Sequence, residues 1–72
     1  METTEGKILR EARQRLGLTQ QQVADKARIQ IRQYQKFEGG ERKLSTSSFY
    51  IARKVLEVLQ LDVTTFVREK NA

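Results

Sequence analysis

Thr19-Gln20-Gln21-Gln22-Val23-Ala24-Asp25-Lys26-Ala27-Arg28-Ile29-Gln30-Ile31-Arg32-Gln33-Tyr34-Gln35-Lys36-Phe37-Glu38 is a polar stretch with few apolar residues at regular spacing. Thr19 is a good helix N-cap, and Gln22 three residues later completes a capping-box pattern. Val23, Ala24 and Ala27 then give this helix an apolar side until it ends near Lys26 or Ala27. After a break at Arg28 and Ile29 a further helix runs to Glu38, with Tyr34 and Phe37 inward and Arg32, Gln33, Gln35 and Lys36 outward. Ala24 falls where the two helices cross, and only a small side chain lets the backbones approach there. Two short helices and a tight turn, apolar only where the pair must pack, have the shape of a helix-turn-helix.

Upstream, a first helix starts after Thr3 or Thr4, carries Ile8, Leu9, Ala12 and Leu16 on one face, and ends at Gly17 in a left-handed cap. Downstream, Gly39 and Gly40 stop the third helix and Glu41 to Ser45 read as a polar loop. Thr46 or Ser47 then caps a fourth helix, whose Phe49, Ala52, Val55, Leu56 and Leu59 recur at helical spacing. Asp62 caps a short fifth helix bearing Val63, Phe66 and Val67. The pattern predicts a compact all-α domain of five helices spanning residues 1–72, with its core in about 8–67.

Composition narrows the classes. A chain of 72 residues suits one small core and leaves no room for a second, ligand-sensing domain. With neither Cys nor His, a zinc finger or thiol redox site cannot be built, and no cofactor or metal is expected. No run of about 18 apolar residues occurs, and Met1 to Gly6 is polar and acidic where a secretion signal would be basic and then apolar. The expectation is a cytoplasmic protein with no membrane partner. The formal net charge of +5 favours polyanions. Arg28, Arg32, Lys36, Arg42 and Lys43 fall in one short stretch opposed only by Glu38 and Glu41, whereas the chain from Phe49 onward is near balance.

Leu16-Gly17-Leu18-Thr19-Gln20, Val23-Ala24 and Tyr34-Gln35-Lys36-Phe37-Glu38-Gly39-Gly40 together resemble the phage-repressor (lambda repressor and Cro, XRE-type) family of helix-turn-helix domains over roughly residues 8 to 66. Ile31 to Glu38 also looks like recognition helices of bacterial and phage regulators in that family. Two positions depart from it. Arg28 stands where the family has Gly, and a non-Gly residue at positive φ costs on the order of 1 kcal/mol. Gln30, a poor N-cap, stands where Ser or Thr caps the third helix.

The resemblance implies sequence-specific binding of duplex DNA by a repressor-like transcriptional regulator, with the third helix in the major groove and a homodimer on a pseudo-palindromic operator. It places Thr19 and Gln20 against the DNA backbone, where a helix N-terminus offers free N–H groups. Gln30, Ile31, Arg32 and Gln33 form the first turn in the groove. Arg32 suits guanine O6 and N7, Gln33 suits adenine N6 and N7, and Ile31 suits a thymine methyl. Gln35 and Lys36 lie one turn later, and Arg42 and Lys43 serve as phosphate contacts. Arg13 and Glu38 match a structural ion pair of the family.

A solvated helix face would also be polar, but such faces mix signs, and this one has no acidic residue between Arg28 and Phe37. Tyr34 and Phe37, three apart on the inward side, read as core rather than base-stacking aromatics. The carboxylates Glu5, Glu11, Asp25, Glu57 and Asp62 form no motif, and no phosphate loop is present, so no enzyme is expected. Two other readings stay open. A protein-interaction module, such as an antitoxin or adaptor, would show exposed apolar residues on the fifth helix. Nonspecific packaging of nucleic acid fits the charge, and fits the varied polar side chains of the third helix less well. Leu59, Leu61, Val63, Phe66 and Val67 could form a dimer surface, though closing the core is their preferred use.

Overall fold

The computed structural model describes residues 4–70. In order along the chain come α1 (Thr4–Arg15), α2 (Gln20–Ala27), α3 (Ile31–Gly39), a 3₁₀ turn (Leu44–Thr46), α4 (Phe49–Val58) and α5 (Val63–Lys70). No strand occurs among the described residues, and none of their helices is long and apolar enough to cross a membrane. The all-α, five-helix expectation therefore holds.

Local chemistry accounts for the boundaries. The Thr19 side chain accepts from the Gln22 N–H at 3.0 Å, and the Gln22 side chain accepts from the Thr19 N–H at 2.8 Å, so the capping box is reciprocal. Arg28 closes α2 at φ 56°, the left-handed conformation that a glycine would adopt more cheaply. It is held there by the following turn, in which the Arg28 N–H bonds the Asp25 carbonyl at 3.1 Å and the Ile29 N–H bonds the Ala24 carbonyl at 3.0 Å. Gln30 sits at the N-cap of α3 with no side-chain hydrogen bond.

The segment after α3 departs from the sequence reading. Glu41 to Ser45 is not simply a polar loop: Leu44 is buried and opens the 3₁₀ turn. Neither Thr46 nor Ser47 caps α4. Their hydroxyls donate backward to the Lys43 and Leu44 carbonyls at 3.0 and 2.6 Å, so the cap falls to Ser48, which accepts from the Ile51 N–H at 3.2 Å.

α1 packs against α3 and α5, and α2 against α3 and α4, around Leu9, Val23, Tyr34, Phe37, Leu44 and Val55. Each large apolar side chain buried there contributes about 1.5–3 kcal/mol. Ala24 is fully buried in this assembly of short helices. Leu16 lies beyond the end of α1 and is half exposed, a correction to its inward placement. On α5 the inward position is taken by Phe66, while Val63 and Val67 are 50% and 42% exposed. Phe49, at the first turn of α4, falls two turns before Leu56 on the same helical face, yet it is 77% exposed.

Candidate nucleic-acid interface

The outward side of the α2–turn–α3 unit gathers the polar residues singled out from sequence. Arg32, Gln35 and Lys36 are exposed along α3, and Thr19 and Gln30 are exposed at the starts of α2 and α3. Ile31 and Gln33 are half buried; Ile31 packs on the core, so only part of its surface is open to a thymine methyl.

Gln20 and Gln35 meet across the two helices, with Gln35 Nε2 donating to Gln20 Oε1 at 3.3 Å. Gln20 Nε2 in turn donates to Glu38 Oε1 at 3.2 Å. Arg13 reaches the same carboxylate from α1, with Nε 2.6 Å from Oε2 and Nη2 3.2 Å from Oε1, a two-pronged contact that suits the planar guanidinium. Its Nη1 donates to the Leu18 carbonyl at 3.0 Å, so one Arg ties α1, the α1–α2 connection and the end of α3 together.

Burial works to raise the Glu38 pKa, but the Arg13 guanidinium, aided by the nearby Tyr34 hydroxyl and Gln20, outweighs it and holds the carboxyl below its ordinary range. The same contact raises Arg13 further, despite its burial. The Tyr34 hydroxyl is buried beside the pair without the geometry of a hydrogen bond, and burial, followed by the neighbouring carboxylate, pushes its pKa upward.

A second grouping lies beyond the end of α3. Gln33, Glu41, Arg42, Lys43, Ser47 and Ser48 line a cleft between α3 and the start of α4. The Arg42 N–H bonds the Lys36 carbonyl at 3.2 Å, fastening this segment to α3. Two cations beside the N-terminus of α4, where Ser48 caps one N–H and Glu41 offsets part of the charge, form a surface suited to phosphate oxygens.

The sequence reading missed the strut beneath this segment. Glu5, passed over as one of several scattered carboxylates, is buried and accepts from the Ser45 hydroxyl at 2.5 Å and the Ser45 N–H at 3.2 Å. Forty residues separate the two, and no local pattern signals the contact. The Gln20–Gln35 contact had a fainter signal, since both positions carry amides on facing ends of a predicted helix pair.

A short helix pair with a left-handed turn, a small residue in its interior and a cationic, amide-rich outer face defines a helix-turn-helix unit, a DNA-binding class. The chain belongs to an XRE-type helix-turn-helix domain family, whose model, a helix-turn-helix domain, matches residues 6–71. Members of such families typically bind DNA and are not enzymes. No curated protein and no solved structure matches the chain significantly.

Proposed function

We propose that this protein is a sequence-specific, repressor-like regulator of transcription that lays α3 in the major groove of duplex DNA. The observation that carries the reading is the outer face of α3: Arg32, Gln35 and Lys36 stand exposed there, with no acidic side chain among them. Arg32 and Gln35, with Gln33 and Ile31 beside them, are the base-reading set, and Gln30 flanks them at the helix start. Thr19 and Gln20 at the start of α2, and Arg42 and Lys43 after α3, take the phosphates on either side. Arg13 and Glu38 hold these parts in register. A cytoplasmic setting in a bacterium or phage accords with this role.

The protein acts as a homodimer on paired half-sites. Phe49, Val63 and Val67 border one apolar cleft between α4 and α5, and all three are exposed. A second copy meeting the first there would add the affinities of two modules, each reading only a few base pairs. The same patch favours a second reading, in which a different protein covers it and the chain serves as an antitoxin or adaptor.

Selection of duplexes from a random pool, followed by fluorescence anisotropy at several salt concentrations, tests the proposal. The selected duplex binds at least ~10³-fold more tightly than scrambled DNA, and Arg32→Ala collapses that ratio. Equal, steeply salt-dependent binding to both duplexes would instead indicate packaging, and binding to neither would leave the protein-partner reading.

A further inference from the structure

Four side chains form one directed hydrogen-bonded chain from the interior to the outer face of α3. Arg13 grips Glu38, Gln20 Nε2 donates to Glu38 Oε1 at 3.2 Å, and Gln35 Nε2 donates to Gln20 Oε1 at 3.3 Å. The direction of the chain is imposed by its buried end. An ionised carboxylate accepts hydrogen bonds and donates none, so Gln20 must turn its NH₂ toward Glu38 and leave its carbonyl oxygen facing α3. That oxygen also only accepts, so Gln35 must turn its NH₂ toward Gln20. The remaining oxygen of Gln35 and its second N–H are left for an external partner.

A lone glutamine lacks this constraint. Its amide can rotate by half a turn and present either the oxygen or the NH₂ at the same point, matching a donor or an acceptor with equal ease. Here the rotated form would set two carbonyl oxygens against each other and forfeit the bond to Gln20. The lowered pKa of Glu38 keeps its carboxylate ionised, and hence the direction fixed, at neutral pH.

We propose that Glu38 and Gln20 are positioning residues for base reading: through their hydrogen bonds they fix the Gln35 amide with its oxygen free, so that Gln35 selects an adenine. The inference rests on the reading of α3 as the helix that faces the groove. Adenine offers the N6 amino group to the free oxygen and N7 to the remaining N–H, whereas guanine O6 and thymine O4 would meet that oxygen acceptor to acceptor. Glu38 thus does more than close an ion pair, and Gln20 does more than touch a phosphate.

The two roles of Gln20 separate by experiment. Affinity is measured for the wild type, Gln20→Met, Gln35→Ala and the double variant on four duplexes differing only at the base pair where Gln35→Ala changes preference. Gln20→Met is expected to lose about tenfold of the discrimination at that pair and none elsewhere, and to lose nothing more when Gln35 is already Ala. A uniform loss across all four duplexes, with the preference intact, is the mark of a missing phosphate contact and would overturn the proposal. So would a Gln35→Ala variant that keeps every base preference of the wild type. If the wild type itself discriminates among no duplexes, the groove reading fails first and the amide lock falls with it. Selective binding that survives Gln20→Met unchanged defeats the lock alone.

Discussion

Two exposed regions of this small protein are built in opposite ways. The α2–α3 face is polar and tied inward: Gln35 leads to Gln20, Gln20 to Glu38, and Glu38 to Arg13. The α4–α5 face shows Phe49, Val63 and Val67 around an apolar cleft, beside which an exposed Arg53–Glu57 pair at 2.9 Å runs along α4. Hydrogen bonds are directional, so a surface that must distinguish base edges benefits from being held from behind. Apolar contact has little directionality, so a surface that needs only to be covered requires shape and area. On the proposed function, the difference separates reading from association.

The comparison breaks first at Glu38. Glu38→Gln keeps the shape but removes the charge opposite Arg13, whose side chain is only 15% exposed. The expected cost is about 2 kcal/mol, measured by urea unfolding, because Arg13 can recover part of its solvation by turning outward. The folded protein binds the Glu38 proton less readily than the unfolded chain does. The pair's contribution is therefore full above the ordinary carboxylate range and is lost as pH falls through the lowered folded-state pKa. Glu38→Gln should flatten that part of the acid limb of the stability curve, and an unchanged limb would show that the pair contributes nothing.

The α4–α5 face gives the next effect. Val67 is 42% exposed, so Val67→Asp should leave folding stability within about 0.5 kcal/mol. Affinity for a duplex with two half-sites should fall by about tenfold or more, while affinity for one half-site stays the same. Equal affinities for both duplexes in the variant and the wild type would show that the patch plays no part on DNA and strengthen the protein-partner reading.

The smallest change lies in the turn joining the reading helices. Arg28→Gly relieves a left-handed residue at φ 56°, worth about 1–2 kcal/mol, but gives the unfolded chain more freedom, worth about 0.5–1 kcal/mol. Thermal unfolding should show a net gain of about 0.5 kcal/mol with DNA selectivity unaltered. A loss of selectivity would mean that Arg28 itself takes part in the interface.

What could be read from the sequence follows the range of the forces involved. The Thr19 and Gln22 box, the glycine stops and the inward Tyr34 and Phe37 depend on neighbours within a turn or two, and local spacing reveals them. The cap of α4 was misplaced by one or two residues because Thr46, Ser47 and Ser48 are chemically alike, and only the preceding 3₁₀ turn decides which hydroxyl is free. Phe49, Val63 and Val67 share the helical period of core residues, yet the small core runs out before it reaches them. Glu5 beneath Ser45, and the direction of the Gln20–Gln35 amides, arise from contacts between distant segments that no period announces.

The most direct test of the division between the two faces is a ¹H–¹⁵N NMR titration of the protein with a duplex carrying a single half-site. Backbone signals of Gln20, Arg32, Gln35, Arg42 and Lys43, and the side-chain amides of Gln20 and Gln35, should shift strongly while Val63 and Val67 stay in place. Shifts concentrated on α4 and α5, with the α2–α3 face unmoved, would contradict the account.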